Sequence, residues 1–256
     1  MSGPPAQRGV ALVVGGGSGL GAAAARRLSG DGWATVVADL DGARASGVAA
    51  ELEDGHGIAV DVTADAEVGA AFDAAAERGE LRAVVCSAGI GWAERLYGRD
   101  GAHDRGSWDR VIAVNLAGTF AVLRHAARAM AANAPDADGG RGVCVLTSSV
   151  AAQDGQAGSV AYAAAKAGVA GMVLPAARDL ARIGVRVNAI LPGTFETPLL
   201  AGLPEKAQRV LAETVPFPQR LGRPDEYASL VAEVVGNPMI NGALLRIDGA
   251  LRMPHL

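Results

Sequence analysis

Short runs of β-branched and apolar residues alternate along this chain with alanine-rich stretches of helical character, and that alternation limits the possible folds more than any other feature. The strand-like runs fall at 10–14, 35–38, 58–60, 83–86, 143–147, 185–190 and 243–247, with helical segments from about 19 and around 65–78, 107–132, 159–182 and 225–235. Seven strands that are apolar on both faces need cover on both faces. Helices placed between them supply it, so the pattern predicts a doubly wound α/β fold with a parallel sheet of about seven strands. Half of the residues are hydrophobic but only 4% are aromatic, so Ala, Val and Leu must build the interior. With no Pro-, Ser- or charge-rich linker and no internal repeat, residues 1–256 are expected to form one domain.

Two segments break the rhythm. One, 91–106, is polar and Gly-rich, and the other, 192–218, carries five prolines around a short apolar helix. Loops of this length in a compact domain are usually functional or mobile. Both follow strands, on the carboxyl edge where open α/β sheets bind ligands. The second is therefore the expected substrate lid, with 195–203 as its apolar part.

Several classes are disfavoured. The formal net charge is −4 and no basic run occurs, so no field exists to hold nucleic acid. Cys86 and Cys144 lie in apolar runs and read as small buried hydrophobes, with no disulfide and no metal expected. The first apolar run begins at Val10, too early for a signal peptide, and no run reaches the roughly 18 apolar residues of a membrane helix. The expectation is a cytoplasmic protein with no membrane partner.

The stretch Gly15-Gly16-Gly17-Ser18-Gly19-Leu20-Gly21 leaves the first strand and opens the first helix. Glycines there let the backbone approach a pyrophosphate, and the helix N-terminus offers unpaired N–H groups and a positive dipole end. A glycine cluster can also be only a flexible turn. Asp39 closes the second strand, where an acid can accept both hydroxyls of an adenosine ribose, although an Asp at a strand end can equally cap the next helix. Together the two features favour a dinucleotide. With no basic residue at Ser18 and a second acid at Asp41, NAD is expected over NADP, and Arg44 is expected to point to solvent.

Tyr162 and Lys166 lie four residues apart on a helical stretch, hence on one face. They stand out in a chain with three tyrosines and two lysines. A tyrosine acting as a base near pH 7 needs its pKa lowered by about 3 units, worth roughly 4 kcal/mol, which an adjacent ammonium and a cationic nicotinamide ring can supply together. The bland alternative is a solvated surface pair. Ser149, at the end of the 143–147 strand, can return to the same pocket as a hydroxyl donor to a substrate oxygen, or simply form a turn. Asn115, an amide in an apolar helical run, needs partners if buried; it either bonds backbone or holds water near the lysine.

Gly15-x-x-x-Gly19-x-Gly21, Asp39, Asp61-Val62, Ala88-Gly89, Asn115, Ser149, Tyr162-x-x-x-Lys166 and Pro192-Gly193-x-x-x-Thr197 resemble the short-chain dehydrogenase/reductase family over nearly the whole chain. The resemblance implies an NAD-dependent oxidoreductase interconverting a secondary alcohol and a ketone, with a catalytic tetrad of Asn115, Ser149, Tyr162 and Lys166. It further implies that Tyr162 exchanges the hydroxyl proton, Ser149 orients the carbonyl, Lys166 binds the nicotinamide ribose and Asn115 holds a relay water. Cofactor contacts are implied at Gly15, Ser18, Gly19, Leu20, Gly21, Asp39, Asp61, Val62, Ala88, Gly89, Tyr162, Lys166, Pro192, Gly193, Thr194 and Thr197. The segments 215–227 and 246–253 resemble one subgroup, the type-2 3-hydroxyacyl-CoA dehydrogenases, which implies an acyl-CoA substrate touching Ser149, Gln156, Tyr162 and Phe195. A homotetramer is implied too, with helices 107–132 and 159–182 in one interface and the 252–256 tail near another. Val14 and Cys86 depart from the family pattern, which usually has Thr and Asn at those places. A hydroxysteroid dehydrogenase and a dinucleotide-binding partner without turnover are the alternatives; the second is disfavoured because Tyr162 and Lys166 are both present. No Gly-x-Ser-x-Gly elbow and no Gly-Lys-Ser/Thr motif occurs.

Overall fold

The computed structural model describes residues 8–99, 101–201 and 204–253. Strands β1 (Val10–Val14), β2 (Ala34–Asp39), β3 (Gly55–Ala59), β4 (Leu81–Cys86), β7 (Gly142–Thr147), β8 (Val185–Pro192) and β9 (Leu244–Ile247) form one seven-stranded sheet in the order β3-β2-β1-β4-β7-β8-β9. Every neighbouring pair in it is parallel. The order reverses between β1 and β4, so the carboxyl ends of these two strands flank the crevice in which such sheets take ligands.

Helices cover both faces, as continuous apolar strands require. Along β1, Val10, Leu12 and Val14 join a core completed by Phe72 of α3 (Asp65–Ala76), Val122 of α5 (Thr119–Ala131) and Val169 of α6 (Val160–Ala181). The alternate residues, Ala11 and Val13, face Leu28 of α1 (Gly19–Gly30), Val48 of α2 (Gly42–Ala50) and Val231 of α9 (Pro224–Gly236). The doubly wound Rossmann-like architecture is the one expected.

Local differences have physical causes. The third strand, expected at 58–60, runs earlier, at Gly55–Ala59, because glycines lower β propensity and mask the strand; here they are required by α2 pressing on the sheet edge. A Cβ at Gly57 would lie 2.6 Å from Ser46. The helix expected across 107–132 is divided into α4 (Arg105–Ile112), a π-helical turn Ala113–Gly118, and α5. The segment 91–106 contains a two-stranded hairpin, β5 (Tyr97–Gly98) with β6 (Gly101–Ala102). In place of one short apolar helix, 192–218 holds α7 (Pro198–Ala201) and the charged α8 (Glu205–Glu213).

Helix α6, with 22 residues, is long and apolar enough by length and composition alone to cross a membrane, but Lys166, Arg178 and Asp179 interrupt it, so it holds no unbroken run of 18 apolar residues. Its apolar character comes from an alanine-rich packing face that also carries Tyr162 and the buried Lys166.

Candidate active site

The glycine loop is stitched to the second strand. The N–H groups of Gly15 and Gly16 donate to the Ala38 carbonyl at 2.8 and 3.0 Å, and that of Gly17 donates to Asp39 Oδ2 at 2.9 Å. A Cβ at Gly17 would sit 2.8 Å from the Asp39 carboxylate, and one at Gly21 would lie 2.1 Å from the Gly15 carbonyl oxygen. Only glycine permits that curl. Ser18 occupies the N-cap of α1 but makes no capping bond with its side chain, so the first-turn amides of Gly19, Leu20 and Gly21 stay available to an anion.

Asp39 does not cap the next helix. Asp41 does, accepting from the amides of Ala43 and Arg44 at 3.0 and 3.2 Å, and Arg44 is exposed and paired with Asp41 at 3.1 Å. Among the described residues, Asp39 Oδ1 takes only the Asp41 amide, at 3.1 Å. A carboxylate oxygen has a second lone pair, so Asp39 keeps acceptor capacity toward the crevice.

The remaining residues expected to contact the cofactor lie along the same edge. Asp61 Oδ1 accepts from the Thr63 amide and hydroxyl at 2.8 and 2.7 Å, bonds that hold its carboxyl below the usual range, while Val62 is buried against Gly118. Ala88 packs on Gly15, and Gly89 lies under the Asn115 amide and the Lys166 ammonium; a Cβ there would be 2.8 and 3.4 Å from them. Pro192 ends β8, Gly193 backs onto Asp248, and the Thr197 side chain faces Gly19 across the loop. Thr194 Oγ1 is buried with no hydrogen-bond partner among the described residues. A buried hydroxyl left without a partner costs about 1–3 kcal/mol. That orphan, the uncapped helix and the half-used Asp39 carboxylate fit a dinucleotide bound along this edge.

The end of β7 is spliced onto α6. Lys166 Nζ donates to the Thr147 carbonyl at 2.8 Å, Ser148 Oγ donates to the Lys166 carbonyl at 2.7 Å, and Ser149 Oγ accepts from the Ala151 amide at 3.1 Å. The i, i+4 pairing puts Lys166 Nζ 5.8 Å from the Tyr162 ring centroid. Burial lowers the Lys166 ammonium to about 8. Burial also raises the Tyr162 phenol, offset in part by Ser149. Within the protein itself the tyrosine thus moves opposite to the expected depression, because the loss of water around the phenolate outweighs what Ser149 contributes.

Asn115, completely buried in the π-helical turn, accepts from the Ile90 amide at 2.8 Å and donates to the Ile90 carbonyl at 2.9 Å. Its amide thus pins the turn that carries Ala88 and Gly89. On the substrate side, Gln156 is half-buried in the turn before α6, where its carbonyl takes the Ser159 hydroxyl at 2.7 Å. Phe195, expected on the lid, is instead 5% exposed and packed on Gly222 as part of the core. The lid residues at 202 and 203 lie outside the described residues. The 91–106 segment is tied down by Glu94, which accepts from the Asp104 amide at 2.6 Å and Trp92 Nε1 at 2.9 Å. Sequence reasoning missed this Glu94 anchor and Tyr227, whose buried hydroxyl lies 2.6 Å from Thr147 Oγ1.

A crevice at the strand reversal, a glycine loop, and a Ser–Tyr–Lys cluster on β7 and α6 define a class of dinucleotide-linked dehydrogenase. Residues 9–208 match the family described as short chain dehydrogenase, and the chain belongs to that family of oxidoreductases. The 3-hydroxyacyl-CoA dehydrogenase type-2 of Drosophila melanogaster is 49% identical over 248 residues, covering 95% of this chain and 97% of that protein. Its Homo sapiens counterpart is 47% identical, covering 95% of each. The crystal structure of 3-hydroxyacyl-CoA dehydrogenase type-2 from Mycobacterium avium is 43% identical, covers 97% of both chains and superposes with a TM-score of 0.93.

Proposed function

We propose that this protein interconverts 3-hydroxyacyl-CoA and 3-ketoacyl-CoA with NAD as hydride carrier. The observation that carries the reading is Tyr162 held on one helix face with Lys166, whose ammonium lies 5.8 Å from the ring centroid and is anchored on the Thr147 carbonyl two residues before Ser149; the names of relatives sharing nearly half of the sequence support the substrate class.

When bound, the nicotinamide accepts or delivers the hydride. Gly15–Gly21 and the start of α1 would hold the pyrophosphate, Asp39 the adenosine ribose, and Thr194 and Thr197 the nicotinamide side. Because burial keeps the Tyr162 phenol protonated at neutral pH, it holds the proton that a reduced carbonyl oxygen needs. Ser149 orients that oxygen toward Tyr162. Lys166, anchored on the Thr147 carbonyl, places a positive charge beside the phenol and favours the phenolate when the reaction runs toward the ketone. Asn115 acts by fixing the 88–90 turn. Gln156 and the hairpin segment stand on the substrate side, while Phe195 shapes that side from within the core.

The assembly is proposed as a homotetramer. Phe120 on α5 and Leu174 on α6 are 54% and 46% exposed, apolar surface on the two helices expected at one interface. Arg252 and Met253 lead toward the second interface, and 254–256 lie outside the described residues. A cytoplasmic location is proposed as well, on the strength of two free, buried cysteines suited to a reducing compartment.

The test is a substrate panel with NADH. Acetoacetyl-CoA is expected to be reduced well above any sugar or small polyol, and steroid ketones to rank below it. No NADH consumption with any 3-ketoacyl-CoA would overturn the substrate assignment and leave the family intact.

A further inference from the structure

Tyr227 sits on α9, across the sheet from α6, and is completely buried. Its hydroxyl lies 2.6 Å from Thr147 Oγ1 and 3.3 Å from Ser87 Oγ, and those two are 3.1 Å from each other. Each hydroxyl can donate once and accept, so the three close a ring in which every donor is used. A buried tyrosine hydroxyl needs only one partner. Here it takes two, from the ends of two adjacent strands.

Both strand ends lead straight into the site. Ser87 follows β4 and begins the turn whose Gly89 lies beneath Asn115 and Lys166. Thr147 ends β7, precedes Ser148 and Ser149, and offers its carbonyl to Lys166 Nζ at 2.8 Å. The distance from Tyr227 to the reacting groups is bridged by one residue.

We propose that Tyr227 is a positioning residue for the dehydrogenase reaction: from the back of the sheet, its hydroxyl locks the β4 and β7 ends together and so fixes the acceptor that aims the Lys166 ammonium. This rests on the reading that Tyr162 and Lys166 carry the chemistry. The titratable groups that act on Lys166 among the described residues are Tyr162 on its own helix and Cys86 on β4. Removing the Tyr227 hydroxyl frees the Thr147 end to shift, and displacement of catalytic groups by about 1 Å can cost on the order of 100-fold in rate.

The experiment compares Tyr227→Phe, Thr147→Val, the double variant and Val231→Ala, a buried neighbour on α9 that bears no hydroxyl. The readouts are Tm and the pH profile of kcat for alcohol oxidation. Tyr227→Phe is expected to lower kcat roughly tenfold and move the acidic limb to higher pH by at least about half a unit, as an ill-placed ammonium helps the phenolate less. Thr147→Val should do the same, and the double variant should be no worse than the larger single. Val231→Ala should lower Tm and leave the limb in place. A Tyr227→Phe profile that superposes on wild type, or an equal shift in Val231→Ala, would overturn the proposal. Tyr162→Phe run in parallel separates the two levels: if it stays active, the catalytic assignment has failed, and if it is inert while the Tyr227→Phe profile is unmoved, only the positioning role has.

Discussion

Replacing Lys166 by Met should change the way stability depends on pH, by an amount that follows from burial. The folded protein holds this ammonium only to about pH 8, whereas the ordinary value is 10.5. A drop of about two and a half pH units at ~1.4 kcal/mol each is roughly 3 kcal/mol. The sign follows from proton counts: between these two values the unfolded chain binds more protons than the folded one, so wild-type stability rises with pH there, and below pH 8 the full penalty is present. Methionine fills similar space and does not titrate. It also leaves the Thr147 carbonyl without its donor, an offset of about 1–3 kcal/mol at every pH, so the difference at one pH decides nothing. The slope decides. Urea unfolding of both proteins from pH 6.5 to 9.5 should show wild type gaining roughly 2 kcal/mol on the variant. Parallel curves would refute the buried, destabilised ammonium.

Asp39→Ala is expected to erase an NAD preference of at least about 100-fold in kcat/KM, since NADP would otherwise bring its phosphate against a carboxylate. Asp41→Ala should instead cost about 1 kcal/mol of stability as a lost N-cap and leave the ratio alone; an unchanged ratio in Asp39→Ala defeats the ribose assignment. Light scattering at micromolar concentration should give the mass of four chains, and a monomeric mass would contradict the assembly.

The sheet was legible wherever strands are buried on both faces, because Val10–Val14 and Val143–Thr147 are unbroken apolar runs. It was less legible at the edge, where Gly55, His56 and Gly57 pair with β2 yet carry no strand signal. Their glycines answer to Ser46 and Ala49 of α2, a contact that no local pattern reveals. In the site, Tyr162 and Lys166 were readable from helical spacing and Asn115 from an amide in an apolar run. Asn115's bonds to Ile90 were not readable, and neither was the π-helical turn that delivers it. Asp39 and Asp41 show the limit most clearly: of two acids two residues apart, Asp41 caps α2 and Asp39 accepts from the glycine loop, and only the direction of the backbone amides separates them. Phe195 reads as lid from its neighbours, but the parallel bridge between its own backbone and Gly222 draws the ring inward. Tyr227 gave no functional signal because its partners, Thr147 and Ser87, lie 80 and 140 residues away.

The central claim is that Tyr162 carries the proton while other residues hold the cofactor. Turnover and NADH affinity of Tyr162→Phe test it together. General acid–base catalysis contributes about 10²- to 10⁴-fold, so turnover should fall below about a tenth of wild type while the Kd for NADH stays within a few-fold. Turnover above a tenth of wild type, or a loss explained by NADH no longer binding, would contradict it.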